Sequence, residues 1–394
     1  MNILVVAAVL PYPLYSGGQI RMYNLLKRLS KKHRITLVSF IRSDKERVFS
    51  REFSFCEAVH MVLRGRAWQP KYYLRALLGK YPFLLSTYDN ALMRTLLSEL
   101  ITKKHFDLVH MEPFYVMPSM PAHTIPTVVS EHNVEYDVYD GYVRRFPVPV
   151  LRALLSWDVY KLKKWEHLSW KQATVLTAVS SHDAEVMGSY LRKPVAVVAN
   201  GVDLASFPFV VRPGRRQPTV LFVGNFRWHP NRDAANTLLT TIWPEIALAL
   251  PGAKLTVVGM DMPEAMKKSI VAKGGTALTS VPDIAKVYKE ADILVAPHAI
   301  AGGTKFKMLE AMASGLPIIT SPQGMAGLDA EAGEHYFEAT TPAEFVAHIV
   351  AITREPQKGK AIALRARRLV EKYYNWDGIA GNLERAWREA YEKR

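Results

Sequence analysis

Short, unbroken runs of apolar and β-branched residues recur along the chain. Each gives way to a polar or glycine-bearing turn and then to apolar residues at helical spacing. In the first half the runs are ILVVAAV (3–9), ITLVSF (35–40), DLVHM (107–111), TVVSEH (127–132), ATVLTAVS (173–180) and VAVVAN (195–200). A second series follows with TVLFVGN (219–225), KLTVVGM (254–260), ADILVAP (291–297) and LPIITS (316–321). Continuous rather than alternating hydrophobicity marks strands covered on both faces, so parallel sheets with intervening helices are expected. Between the two series, NGVDLASFPFVVRPGRRQPTV gathers Pro and Arg, as a linker does. The expected fold is therefore α/β: two Rossmann-like, doubly wound domains facing each other across a cleft. The boundaries fall at residues 1–205 and 206–375. Apolar residues at helical spacing continue from about 359 to 393, and residues 376–394 form a C-terminal helix free to pack back on the first domain.

In such sheets, ligands gather outside the carboxyl ends of the strands, so the residues there carry the chemistry. After the first run, Gly17 and Gly18 permit close backbone approach, and a helix starting near Gln19 would aim free N–H groups outward, a seat for phosphate. The same pair could simply tighten the turn. At 131–133, Glu, His and Asn offer an acid, an imidazole and an amide suited to sugar hydroxyls or proton transfer, although a lone His132 is as often structural. In VGNFRWHPNRDAANTLL (223–239), Gly224 makes the turn, Arg227 adds cationic reach and Pro230 suits an early helical position. Trp228 could stack on a base, but capping the core is the commoner role for such a residue.

The fourth strand end leads into AGGTKFKMLEAMASG (301–315), where Gly315 reads as a helix stop. Lys305 and Lys307 stand at the start of that helix, against its macrodipole, a placement that makes sense if an anion arrives there. Glu310 lies about one turn on, where its carboxylate could accept hydrogen bonds from a vicinal diol such as a ribose. The alternative is a solvated Lys face with Glu310 pairing Lys307 at i,i+3.

At these residues the chain resembles a known family. GGTKFKMLEAMASGLPIITS is similar to the C-terminal signature of retaining glycosyltransferase family 4, the sugar-nucleotide-dependent enzymes of GT-B fold. GNFRWHPNRDA resembles the W-x-P-N-x-D-A variant of one subgroup, and SGGQIRMYNLLKRLSKKHRITLV, SEHNVEY, TAVSSHDAEVM and VVANGVDLASF resemble further blocks in the same order. The resemblance spans roughly residues 1–340 and implies roles. Glu310 corresponds to the second Glu of the E-x7-E signature, which holds the nucleotide ribose. Gly17 and Gly18 correspond to the loop that approaches the donor diphosphate, and His132 to the histidine near the transferred sugar. Lys305 and Lys307 match basic positions that neutralise the diphosphate. The catalytic set so implied is His132, Lys305 and Arg227. The donor-binding set is Gly17, Gly18, Gly224, Asn225, Gly303, Thr304, Lys307 and Glu310.

The chain also departs from the family. Gly302 stands where the first signature Glu belongs, Asn225 where Arg is common, and Asn231 near an expected Lys. Arg227, Lys305 and Lys307 are the expected substitutes. No metal is expected, because no D-x-D motif is present and cationic side chains can meet the charge of the leaving β-phosphate. No cofactor is expected beyond the nucleotide-sugar substrate, a UDP- or GDP-sugar.

Composition narrows the partners. The net charge of +15 is shared unevenly: residues 1–200 hold 27 Lys/Arg against 16 Asp/Glu, and the rest 24 against 20. The first domain therefore faces something anionic. Nucleic acid is not expected, since no helix-turn-helix, zinc-finger or RNA-binding signature accompanies the charge. Residues 142–171 carry seven Lys/Arg, two Asp/Glu and three Trp, and 68–85 are of similar character. Both suit peripheral contact with an anionic bilayer, or equally helices packed on the domain with their basic residues solvated. The apolar run at 3–9 lacks a preceding basic stretch and reads as a strand, and no segment approaches roughly 18 uninterrupted apolar residues. The single Cys56 fits a reducing compartment and reads as a small buried hydrophobe. Joined to what the resemblance implies, these lead to the expectation of a cytoplasmic, retaining glycosyltransferase at the inner membrane face. It would move a sugar to a lipid-linked or polysaccharide acceptor in cell-envelope glycan synthesis. A sugar-nucleotide epimerase of the same fold, or a non-catalytic nucleotide-sugar-binding scaffold, are the competing expectations.

Overall fold

A computed structural model describes residues 1–144, 146–279, 281–299 and 306–394. The chain divides into two compact units, one of Met1–Ala199 with Asp377–Arg394, the other of Asn200–Trp376. The division thus falls before Asn200 rather than after residue 205.

Among the described residues, the first unit holds a sheet of seven strands. They are β1 (Asn2–Ala7), β2 (Arg34–Ile41), β3 (Ala58–Leu63), β4 (Leu108–Glu112), β5 (Thr127–Ser130), β6 (Val175–Ala178) and β7 (Ala196–Val197). All pair in parallel in the order β3-β2-β1-β4-β5-β6-β7. Strands β1, β2, β4, β5 and β6 are almost wholly buried, as their unbroken apolar runs require. The order reverses between β1 and β4, and their carboxyl ends meet at the pair Ala7 and Glu112. That reversal is where doubly wound sheets open a crevice for ligands.

The second unit has six strands: β8 (Thr219–Val223), β9 (Lys254–Val258), β10 (Thr276–Leu278), β11 (Ile293–Ala296), β12 (Ile318–Thr320) and β13 (Phe337–Glu338). The order is β10-β9-β8-β11-β12-β13, again all parallel, and the reversal lies between β8 and β11. Its core joins Phe222, Leu238, Ile242, Ile270, Val295 and Ile349.

Three strands escaped the sequence pattern: β3, β10 and β13, each on a sheet edge. An edge strand is covered incompletely, so its residues need not be continuously apolar; β3 has only one fully buried residue. The expected helical run from 359 is two helices, Pro356–Tyr373 and Trp376–Glu392, broken at Tyr374–Asn375. The second carries Trp387 fully buried in the first unit, where His33 meets its ring edge-on at 5.6 Å. Arg28 to Asp377 and Lys32 to Glu384, both at 2.7 Å, pin its outer face.

Candidate functional site

In the first unit, β1 ends at Ala7 and the chain enters α1 (Gly17–Leu29). Ser16 supplies no side-chain cap and the first turn holds no acid, while Lys27 and Arg28 sit at the far end. The helix therefore presents uncapped backbone N–H groups and a positive dipole end at Gly17 and Gly18. A side chain at Gly18 would also crowd the histidine. A Cβ there would come within 3.1 Å of His132 Cε1 and 3.2 Å of its Nδ1. The structure thus brings together the glycine pair and the histidine that the sequence left separate.

His132 follows β5 and is held from behind. Its Nε2 lies 2.9 Å from Glu112 Oε1, which also accepts from Arg21 Nε at 3.1 Å, while Glu112 Oε2 lies 2.7 Å from His110 Nε2. Burial pushes the Glu112 carboxyl up, but hydrogen bonds from His110 and His132 and the charge of Arg21 outweigh it and hold it well below the usual carboxylate range. Glu131, proposed from sequence as an acid at the same strand tip, does not serve there. It is fully buried, and among the described residues neither carboxylate oxygen has a hydrogen-bond partner. Burial and the charge of Glu135 raise its carboxyl well above the ordinary value, as suits a group in the core. Asn133 turns to Glu135 at 3.1 Å.

In the second unit, the reversal between β8 and β11 gathers a second cluster. Gly224 gives its N–H to Val258 O, and a Cβ on it would press within 3.2 Å of Asn231, so it acts here as a close-packing residue. Asn225 fixes the loop: its Oδ1 accepts from Arg227 N at 3.0 Å and its carbonyl from Asn231 Nδ2 at 2.8 Å. Asn231 Oδ1 in turn accepts from Lys307 Nζ at 2.8 Å. The ammonium also lies 3.3 Å from His298 Nε2 and 5.0 Å above the Phe222 ring. The two asparagines that replace the family's usual Arg and Lys therefore orient Lys307.

The helix bearing Lys307 is Phe306–Ala313, and Gly315 ends it at φ 68°, as expected. Glu310 on the same helix accepts from the Tyr288 hydroxyl at 2.9 Å through Oε2, while among the described residues Oε1 makes no hydrogen bond. Burial raises its carboxyl, with Tyr288 and Lys307 pulling the other way. Glu310 and Lys307 thus each have a partner from another element, Tyr288 and Asn231, which a purely solvated Lys face would not provide. Arg227 is exposed, and Trp228, at 60% exposure, does not cap the core. Gly302, Gly303, Thr304 and Lys305 lie outside the described residues.

Sequence reasoning missed Arg21, His110, Glu112 and Tyr288. The signal for Glu112 was its place, with His110, as a polar residue at the end of an apolar run, and nothing local marks Tyr288. Cys56 is half-buried rather than buried, and burial pushes its thiol up to about 12, which makes it a poor nucleophile.

Two basic, aromatic segments form amphipathic helices in the first unit, α2 (Pro70–Leu78) and α3 (Pro149–Gln172). Lys161 of α3 donates to carbonyls at the α2 end, those of Ala76 and, at 3.2 Å, Tyr81. Outward-facing apolar residues remain on both, with Leu78 at 77% and Val150 at 79% exposure and Leu74, Leu154 and Trp157 also bare. Among the described residues no helix is long and apolar enough to cross a membrane.

Comparison with known proteins places these clusters in context. The family model described as Glycosyltransferase Family 4 matches residues 15–206, and that described as Glycosyl transferases group 1 matches residues 217–355. An uncharacterized 44.6 kDa protein in the cps region of Klebsiella pneumoniae is 22% identical over 390 residues, 95% of this chain and 96% of that protein. The phosphatidyl-myo-inositol mannosyltransferase of Mycolicibacterium smegmatis is 23% identical over 308 residues, 73% of this chain and 72% of its own. Among solved structures, Anabaena Alr3699/HepE in complex with UDP superposes with a TM-score of 0.69 at 14% identity, covering 98% of this chain and 99% of that one.

Proposed function

Because the chain belongs to the family 4 glycosyltransferases of GT-B fold, we propose that it moves a sugar, with retention, from a nucleotide-sugar to a lipid-linked or polysaccharide acceptor of the cell envelope. The observation that carries this reading is the pairing of Lys307 with Asn231 beside Glu310 with Tyr288, at the strand reversal of the second unit. A cation for a diphosphate and a carboxylate for a ribose stand one helical turn apart, each oriented by a neutral partner. Departure of the nucleotide puts charge on the β-phosphate. Lys307, with Lys305 and Arg227 assigned to the same task from sequence, meets that charge. These cations make the mechanism metal-independent. His132 attends the sugar. UDP is the first donor base to test, because UDP occupies the Anabaena relative.

The acceptor side is read from α2 and α3. Bare Leu, Val and Trp side chains on helices rich in Lys and Arg suit peripheral contact with an anionic bilayer, at the inner face of the membrane in the cytoplasm. The lipid acceptor of the mycobacterial mannosyltransferase, as its name gives it, supports the same reading.

The test is calorimetric titration of the protein with UDP, GDP, ADP and dTDP, repeated on Glu310→Ala, followed by transfer from the selected donor with analysis of the anomer formed. One nucleotide binding selectively and more weakly to the variant, with a retained product, supports the proposal. Release of an epimerised sugar without acceptor would replace it with an epimerase, and tight binding without turnover with a scaffold.

A further inference from the structure

Trp387 Nε1 lies 3.2 Å from His110 Nδ1, 277 positions apart in the chain, and both side chains are fully buried. An indole N–H can only donate, so His110 Nδ1 must carry a lone pair and its proton sits on Nε2. That Nε2–H points to Glu112 Oε2 at 2.7 Å. Glu112 faces Arg21 and is held ionised, so it accepts from every neighbour, including His132 Nε2 at 2.9 Å. Trp387 fixes the proton of His110, and the acceptor-only Glu112, its Oε2 held by His110, fixes the direction of the bond from His132 to Oε1.

We infer that Trp387, His110 and Glu112 form a positioning relay that fixes His132 as the Nε2–H tautomer and leaves Nδ1, beside Gly18, as the hydrogen-bond acceptor for a sugar hydroxyl. The last clause rests on the function proposed above; the tautomer does not. Gly18 belongs to the same device. A Cβ there would lie 3.2 Å from Nδ1 and crowd it. Arg21 completes it by donating to Ala199 O at 2.7 Å and to Glu112, so the carboxylate cannot swing away from His132. Glu112, His110 and Trp387 do not touch a substrate in this scheme; they act through His132.

The experiment uses the full chain labelled with ¹⁵N-histidine, with His132 assigned through His132→Gln. Two-bond proton–nitrogen spectra read each ring's tautomer whether or not a substrate is known. The expected result is Nε2–H at both His110 and His132. In Trp387→Phe, which keeps an aromatic ring in the core, His110 loses its bias and the His132 nitrogens shift with it. Finding His132 as Nδ1–H, or finding its signals unmoved while those of His110 change, overturns the relay. Kinetics supply the second arm. Glu112→Gln should lower kcat/KM for the donor by about five- to a hundredfold, the worth of one misdirected hydrogen bond to the sugar. In a His132→Ala background the same change should cost almost nothing further. Equal losses in both backgrounds would reduce Glu112 to a structural role. Failure of the wild type to turn over any nucleotide-sugar would count against the proposed function and leave the spectra to decide the relay.

Discussion

Arg21 Nε sits 3.1 Å from Glu112 Oε1, each side chain about 1% exposed, on the first helix and at the end of β4. Two opposite charges taken out of water are costly unless all their bonds are made, and here the guanidinium reaches a carboxylate and a carbonyl. Arg21→Met should destabilise the first unit by about 3–5 kcal/mol, because it leaves a buried carboxylate with its two histidine bonds but without its guanidinium countercharge. Arg21→Met with Glu112→Leu should recover part of that loss. Denaturant unfolding of the two variants beside the wild type checks it; a double variant less stable than the single one would contradict the argument.

Nucleotide affinity should depend on Tyr288 through Glu310. Removing the hydroxyl in Tyr288→Phe leaves Glu310 without its orienting bond and should weaken binding roughly five- to tenfold, the worth of about 1 kcal/mol. Glu310→Ala should cost more, about 1.5–3 kcal/mol, as a charged acceptor does. Calorimetry with the bound nucleotide reads both. Equal affinity in all three proteins would remove the ribose role from Glu310.

Glu131 predicts a pH effect of definite sign. Its folded carboxyl is raised well above 4.5 by burial and by Glu135, so the folded state holds the proton more tightly than the unfolded chain. Its contribution to stability is complete below the unfolded value and is lost as pH rises through the folded one. Glu131→Gln carries no such loss. Its melting temperature relative to wild type should therefore rise as pH is raised from about 5. A constant difference across that range would mean that Glu131 ionises in the fold as it does in water.

The bare face of α2 and α3 should bind anionic vesicles. Sedimentation with phosphatidylglycerol vesicles should retain the wild type and release it as salt is raised, since exposed charge is screened beyond about 8–10 Å. Leu154→Ser with Trp157→Ser should lower retention at least tenfold, in line with about 1.5–3 kcal/mol for each large apolar side chain left in water. Retention that ignores both salt and the substitutions would assign these helices to packing alone.

The central strands were legible because burial on both faces demands continuous apolar runs, and β1, β4, β8 and β11 show them. Edge strands β3, β10 and β13 were not, since one partner and partial cover leave their composition free. At the sites, glycines, Lys307 and Glu310 announce themselves by residue type at a strand end. Their partners do not. Tyr288 and Asn231 are fixed by tertiary packing 22 and 76 residues away from Glu310 and Lys307, and no local pattern encodes that distance. His110 and Glu112 alternate along one short strand, where polar residues at buried positions are the signal that could have found them.

The return of Trp387 to the first unit also sets an order of events during synthesis. Asn200–Trp376 is one uninterrupted stretch, whereas the first unit needs residues on both sides of it. At ordinary elongation rates, on the order of ten to forty seconds pass between the emergence of Ala199 and that of Asp377. During that interval His33 and His110 wait without the indole that covers them, and the Arg28 and Lys32 side chains wait without Asp377 and Glu384. The nascent chain therefore matures from its middle outward, and the half that was made earliest is the last to be finished.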